Sequence, residues 1–342
     1  MLLRQGILPI ILLCLLLFTS CNHKEIYHED FARHRVYIHF DYKQVEKEAS
    51  SVRVLFYPLE GISKSPFVFD LDGNGGIVPI PNGKYHILAY NVDTENIIEL
   101  EENNIDAFEL TTPSYEVEEG VMESDNAQAA RLLAGQMLPK GDGEGSFLQY
   151  DIPDYTMRSR YNNFKFEYHG EQYSDISLED IAAEVTLLME PAVYKVNLVI
   201  KGLIGMERLT YARGTLSGVA SSYYMGEGVP SEKAGLVVFH AQPYPADSVM
   251  RASFYVWAPY PKGNENVRQF LNLYYWALGA NFYSSTELTD ALRNANYGPS
   301  GMTLNVELTT DIDMTQGTYE GGNSGFQPNV DDWGNENHNI HF

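Results

Sequence analysis

Hydrophobic and polar residues alternate along short segments of the chain, which is the pattern of β-strands with one buried face and one exposed face. In residues 35–42, Val36, Ile38 and Phe40 would lie on one face of such a strand. Further strands are predicted at residues 51–57, 67–71, 77–80, 84–91, 185–189, 193–200, 212–219, 235–241, 249–258, 267–275 and 302–308. Tight turns separate the first five strands, so this segment predicts a β-meander or Greek key and an all-β fold.

Helical patterns are short and few. Residues 126–133 predict one short helix, with Asp125 or Asn126 near its N-cap. Residues 286–294 predict one or two helical turns. The rest of residues 93–150 is an irregular, acidic excursion between strands.

The N-terminus has the layout of a secretory signal peptide: Arg4, then an apolar block at residues 7–18, then small residues. The block is shorter than the ~20 apolar residues that span a bilayer. Thr19, Ser20 and Cys21 resemble a bacterial lipobox, in which the cysteine is diacylated and the chain is cut just before it. Phe18 departs from the usual aliphatic residue of that motif. The alternative is a plain signal peptide with a chance cysteine.

The amino-acid composition limits the expected covalent cross-links, the binding partners and the fold class. The sequence contains two cysteines, and Cys14 lies in the segment that cleavage would remove, so no disulfide framework is expected after Cys21. The net charge of −23 would repel phosphate backbones, so nucleic acid is not an expected partner. The 24 Tyr, 16 Phe and 3 Trp favour β-sandwiches, because aromatic side chains fit half-buried pleated surfaces.

Chain length predicts two domains of ~100–200 residues each. Pro191 interrupts the strand pattern, which begins again within two residues, so we place the boundary there. The predicted divisions are a signal peptide at residues 1–20, a lipidated tether at 21–34, an N-terminal β-sandwich at 35–190, a C-terminal β-sandwich at 191–320 and a Gly- and Asn-rich tail at 321–342, with strand character at 340–342.

One motif resembles a metal site. Asp70, Asp72 and Asn74, followed by Gly75, match the first half of a calcium loop, in which oxygen ligands alternate before a glycine. The position that should carry a bidentate glutamate is Pro81, and the flanking segments are strands rather than helices. A tight hairpin explains the same residues, so we favour a hairpin and predict no metal site.

Aromatic residues at Tyr255, Trp257 and Tyr260 offer a second candidate site. Aromatic faces stack on the apolar faces of sugars, so these three residues could form a sugar-binding platform. Packing in the core or between strands is the alternative, which we favour.

The sequence provides no support for an enzyme. Acidic residues are abundant, but no carboxylate pair stands in a distinctive frame for glycoside hydrolysis. Zinc-binding histidine spacings, a nucleophile elbow and a phosphate-binding glycine loop are also missing from the sequence. We predict no catalytic residue and no cofactor; an acid hydrolase is the second alternative.

A family resemblance rests on several segments taken in order. These are Cys21 with the following Asn-His-Lys, residues 54–58 (VLFYP), 81–85 (PNGKY) leading into 89–94 (AYNVDT), 213–218 (RGTLSG) and 331–333 (DDW). The chain resembles the fimbrillin-like surface lipoproteins of Bacteroidetes. The resemblance implies two tandem transthyretin-like Greek-key β-sandwiches and a role in pili or adhesion.

The same resemblance implies how such proteins assemble. In pilins of this kind, cleavage behind an arginine removes the first strand, and the terminal strand of a neighbouring subunit fills the groove. Arg33 and Arg35 lie where such a cut would fall. Some relatives of these pilins are anchors, tips or accessory proteins that are never cleaved.

Together these features predict a lipid-anchored outer-membrane protein at the cell surface, with a structural or adhesive role as a pilus subunit, anchor or tip. Charged residues behind Cys21 resemble the surface-export signal of Bacteroidetes lipoproteins. Its expected partners are the outer membrane, other pilus subunits and a host or glycan ligand. The alternative is a carbohydrate-binding lipoprotein of a glycan-uptake system.

Overall fold

The computed structural model describes residues 33–61, 63–118, 146–167, 181–263, 267–277, 280–294, 303–309, 314–315 and 339–341. The predicted signal peptide, Cys21, the helix at residues 126–133 and nearly all of the tail lie outside these ranges. Within the described ranges, no helix is long and apolar enough to cross a membrane.

Strands dominate the described part of the chain, so the predicted all-β class with few and short helices is confirmed. The first twelve strands are β1 (Arg33–Asp41), β2 (Ser51–Pro58), β3 (Phe67–Asp72), β4 (Gly76–Pro81), β5 (Gly83–Asn91), β6 (Ile98–Leu100), β7 (Glu109–Thr111), β8 (Ser114–Glu118), β9 (Ser146–Tyr150), β10 (Met157–Phe166), β11 (Ile181–Leu188) and β12 (Glu190–Pro191). The others are β13 (Tyr194–Lys201), β14 (Leu209–Ala220), β15 (Ser222–Tyr224), β16 (Val229–Pro230), β17 (Ala234–His240), β18 (Gln242–Tyr244), β19 (Val249–Val256), β20 (Phe270–Ala277), β21 (Ala280–Glu287), β22 (Thr303–Thr309) and β23 (Asn339–His341). The described helices are two 3-10 turns, Met206–Arg208 and Pro245–Asp247, and the α-helix α1 (Thr289–Asn294).

The first sandwich packs a three-stranded sheet, in the order β11-β1-β4, against a five-stranded sheet, in the order β12-β10-β5-β2-β3. Buried residues of both sheets form one core, which includes Val36 and Ile38 from β1 and Val54 and Phe56 from β2. The other face of β2 is buried as well, because Leu55 belongs to the same core. Burial on both faces explains why β2 departs from strict alternation.

The second sandwich packs a five-stranded sheet, in the order β18-β19-β13-β22-β23, against a six-stranded sheet, in the order β21-β20-β14-β17-β9-β8. Its core contains Val196, Leu198 and Ile200, which alternate along β13 as the sequence predicted. Phe239 and Phe254 stack between the two sheets, with their ring centroids 4.4 Å apart.

The two sandwiches share strands from distant parts of the chain. A four-stranded sheet in the order β16-β15-β7-β6 joins β6 and β7 to two strands from beyond residue 220. The β8–β9 pair extends the six-stranded sheet, because β9 runs parallel to β17. Strands that precede residue 191 thus pair with strands that follow it. The predicted domain boundary at residue 191 stays a prediction.

In each sandwich an early strand lies parallel to a late one. In the first, β1 pairs in parallel with β11, from Arg35 opposite Ile181 to Asp41 opposite Leu188. In the second, β13 pairs in parallel with β22 over seven positions. Only five residues, Met189 to Val193, join the end of β11 to the start of β13.

Candidate functional site

Strand β1 is the strand that cleavage would remove in the predicted assembly mechanism. It lies in the middle of its sheet. It pairs in parallel with β11 on one side and antiparallel with β4 on the other. Its inward side chains Val36 and Ile38 are fully buried. Strand β1 thus fills a groove between β4 and β11, and its removal would expose an apolar cleft with two unpaired strand edges.

The two arginines predicted to mark a cleavage site both lie in β1. Arg33 is its first residue and Arg35 its third. A cut behind either one would leave Val36 to Asp41 in the sheet. The next arginine is Arg53, inside β2, and residues 42–50 contain lysines but no arginine. Cleavage at Arg33 or Arg35 stays a prediction, but it would not empty the groove.

The candidate calcium residues are engaged by protein groups. Both carboxylate oxygens of Asp70 accept hydrogen bonds from Arg53, at 2.7 Å from Nε and 3.0 Å from Nη2. This pairing holds the pKa of the Asp70 carboxyl below its usual range. Asp72 Oδ1 accepts the backbone N–H of Asn74 at 2.9 Å, which closes a local turn. Among the described residues, no group of three or more His, Cys, Asp or Glu side chains could hold a metal ion.

The turn at residues 72–76 is tight, but the predicted hairpin is wrong. Strand β3 pairs with β2 and strand β4 pairs with β1, so the turn carries the chain from one sheet to the other. Only an isolated bridge joins Asp72 to Gly75. The turn packs closely against the connection between β1 and β2, because a Cβ at Gly73 would lie 1.8 Å from the carbonyl oxygen of Ala49.

The candidate sugar platform is wrong for Trp257. Only 1% of Trp257 is exposed, and its ring stacks on Tyr223 with centroids 6.5 Å apart. It belongs to the core of the first sandwich although it follows β19 of the second. Tyr255 and Tyr260 are half-buried. For Trp257, the favoured interpretation of core packing is therefore correct.

A buried arginine lies beside the same aromatic pair. Arg158 on β10 is 8% exposed, and burial lowers the pKa of its guanidinium while a hydrogen bond from it to Tyr223 favours the charge. Gly228 has a φ of +74°, which favours glycine, and a Cβ there would lie 2.0 Å from Nη1 of Arg158, so the guanidinium would have to move. This contact fixes the turn after β15 against the first sandwich.

A polar junction that no sequence pattern indicated joins the two sandwiches, and we call it the seam. Its residues are Glu46, Tyr155, Lys195, Tyr255 and Thr303. The Glu46 carboxylate lies 3.0 Å from Nζ of Lys195 and accepts a 3.5 Å bond from Thr303. The Glu46 N–H donates to the hydroxyl of Tyr155 at 2.9 Å.

Aromatic groups complete the seam. The rings of Tyr155 and Tyr255 lie 5.5 Å apart, and Nζ of Lys47 lies 5.5 Å from the Tyr155 centroid. A cavity of about 170 Å³ opens beside these side chains. Because Glu46 and Lys47 belong to the connection between β1 and β2, the seam fastens that connection to the second sandwich.

The described sheets and cores place the chain in the class of all-β proteins built from two sandwiches. Sequence comparison then gives the family. The chain belongs to the family described as "Domain of unknown function (DUF5119)", whose sequence model matches residues 20–239.

Individual relatives add to this assignment. Fim4B of Bacteroides ovatus, described as a candidate fimbrium anchoring subunit, is 34% identical over 95 residues, a stretch that spans 28% of this chain and 28% of Fim4B. A candidate adhesin of Bacteroides ovatus has a similar structure, with a TM-score of 0.55 and 17% identity over 77% of this chain and 85% of the adhesin. The fimbrial anchor protein Mfa2 of Porphyromonas gingivalis has a TM-score of 0.47 and 15% identity, over 81% of this chain and 91% of Mfa2. The predicted resemblance to fimbrillin-like proteins of Bacteroidetes is confirmed.

Proposed function

We propose that this chain is a lipid-anchored, surface-exposed anchoring subunit of a fimbrium, with a structural rather than an enzymatic role. The description of Fim4B as an anchoring subunit supports this proposal, as does the adhesin fold. The lipobox-like sequence ending at Cys21 supplies the means of attachment to the outer membrane.

One observation carries the choice of an anchor over a polymerising subunit. Strand β1 fills its groove, and residues 42–50, which connect β1 to β2, contain no arginine at which cleavage could release it. A subunit that keeps its own first strand cannot accept the strand of a neighbour in that groove. It can still donate a strand, and therefore occupies the end of a polymer.

The edge strand β23 is a suitable element for donation. Among the described residues, it lies at the end of its sheet and pairs with β22 at three positions. Donating a strand satisfies the backbone groups of the receiving groove and covers its apolar surface. The proposed partner is thus the groove of the first fimbrial subunit.

Replacement of the lipidated cysteine, Cys21→Ser, is expected to move the protein out of the outer-membrane fraction. The serine hydroxyl cannot take the thioether-linked lipid, and acyl chains supply membrane affinity at ~0.8 kcal/mol per buried CH₂. Fractionation followed by immunoblotting measures the change. Cys14→Ser is the matched control, because residue 14 lies in the segment removed with the leader. If the Cys21→Ser protein stayed in the membrane as firmly as Cys14→Ser, the lipid anchor would be rejected.

Digestion with an arginine-specific protease is expected to remove no more than the residues up to Arg35. The rest of β1 should stay in its sheet, and the protein should stay monomeric. Mass spectrometry of the intact product and size-exclusion chromatography check the two statements. Loss of residues 36–41 together with the growth of polymers would contradict an anchoring role and favour a polymerising subunit.

A further inference from the structure

We infer that the fold carries mechanical tension from the N-terminal tether towards the C-terminus by loading two parallel strand pairs, β1–β11 and β13–β22, in shear. That the chain is under tension at all depends on the proposed anchoring function. Which strands would bear this tension follows from the strand topology alone.

The first step is the direction in which β1 is pulled. The predicted tether, residues 21–34, runs into the start of β1 at Arg33, so tension enters β1 at its N-terminal end. The C-terminal end of β11 leads through five residues into β13 of the second sandwich. The two parallel strands are therefore pulled from opposite ends, β1 from its start and β11 from its finish.

Opposite pulling of parallel strands loads their ladder in shear. The β1–β11 ladder has seven paired positions, from Arg35 to Asp41. The hydrogen bonds of a parallel ladder are evenly spaced along the strands. A pull along the strands therefore loads all of these bonds at once, whereas strands pulled apart at one end lose their bonds one at a time. On its other side β1 is paired with β4 over six positions, which adds a second ladder under the same shear.

The second sandwich repeats the arrangement. Strand β13 receives tension at its N-terminal end from β11, and the C-terminal end of β22 leads on towards the C-terminus. These two strands also pair in parallel over seven positions, from Lys195 opposite Thr303 to Lys201 opposite Thr309. The sandwiches thus place two similar shear-loaded pairs in series.

Side chains bridge both parallel ladders. In the first sandwich, Nε2 of His39 on β1 lies 3.4 Å from the carboxylate of Glu184 on β11. In the second, Nδ2 of Asn197 donates to Oδ1 of Asn305 at 3.0 Å, and Lys201 forms an ion pair with Glu307. The polar pairs oppose sliding of one strand along the other, which is the motion that shear would produce.

Single-molecule force spectroscopy with two attachment geometries tests the inference on the exported body, residues 22–342. That segment lacks cysteine, so one introduced cysteine gives one attachment point, with the second handle at the N-terminus. Glu190→Cys, after the end of β11, pulls β1 and β11 in shear. Asn82→Cys, beside the start of β1 at the end of β4, peels β1 away from its neighbours. Both positions are exposed.

We expect a rupture force several-fold higher for Glu190→Cys than for Asn82→Cys at the same loading rate, because forced unfolding follows the unfolding barrier along the pulled direction. Thermal melting of both variants controls for altered stability. Equal rupture forces, or a lower force for Glu190→Cys in variants of equal melting temperature, would overturn the inference. Such a result would leave the membrane anchor intact, since the Cys21→Ser experiment tests that separately.

Discussion

Replacing Trp257 by alanine is expected to lower the free energy of unfolding by about 3–5 kcal/mol, the range found when a large aromatic side chain is removed from a packed core. Trp257 is 1% exposed, and its ring stacks on Tyr223 beside the buried Arg158. The variant would leave a cavity where strands of both sandwiches meet. Equilibrium unfolding in denaturant, followed by circular dichroism, gives the change in free energy.

The expected control is Tyr244→Ala. Tyr244 is also aromatic and lies in the same half of the chain, but 42% of it is exposed, so its loss should cost less than about 1 kcal/mol. A Trp257→Ala protein as stable as Tyr244→Ala would mean that residue 257 is not in the core. In that case the sugar-platform interpretation of residues 255–260 would return.

Alternation of apolar residues predicted much of the fold because it reports burial directly. In β1, the residues expected to face inward include Val36 and Ile38, and both are buried in the first core. In the predicted strand at residues 193–200, the buried residues of the second core also lie at alternate positions. The pattern failed for β10, which the sequence analysis left unassigned. The register of β10 shifts between Tyr161 and Phe164, and Asn163 has a φ of 58°. An extra residue at a bulge breaks the period of two, so the strand has no regular pattern.

Strands β6 to β9 were missed for a different reason. They are short, and two of their pairings connect residues that are far apart in sequence, such as Leu110 with Tyr223 and Gln149 with Leu236. A three-residue strand carries almost no local periodicity, and its partner is selected by tertiary structure. The acidic excursion at residues 93–150 therefore looked like a loop, although part of it joins the two sandwiches.

The candidate sites also depend on contacts between residues that are far apart in sequence. Spacing alone placed Asp70, Asp72 and Asn74 in a plausible ligand frame, but the position of Arg53 on the adjacent strand decides what Asp70 binds. The sequence likewise cannot distinguish an exposed tryptophan from a buried one in an aromatic segment. Glu46 had no signal at all, because its role depends on Lys195, which follows it by 149 residues.

Gly75→Ala, in the turn between β3 and β4, is expected to loosen the pairing of β1 with β4. Gly75 has a φ of +96°, a conformation that costs other residues about 1–3 kcal/mol. The new Cβ would also lie 2.1 Å from the carbonyl oxygen of Ile38, in the middle of β1. Since Gly76 pairs directly with Ile38, relief of this clash must move β4 away from β1. The total loss of stability should exceed the strain alone.

Gly263→Ala separates strain from clash. Gly263 also has a positive φ, +67°, but no atom of the described residues lies within 4 Å of the position that an added methyl group would take, so this variant should show the strain alone. Hydrogen exchange of the amides of residues 36–41 should accelerate in Gly75→Ala and stay unchanged in Gly263→Ala. Equal exchange in the two variants would mean that the turn does not hold β1 in place. Faster exchange only in Gly75→Ala would show that this turn holds β1 in its sheet. The proposed anchoring role rests on this retention of β1.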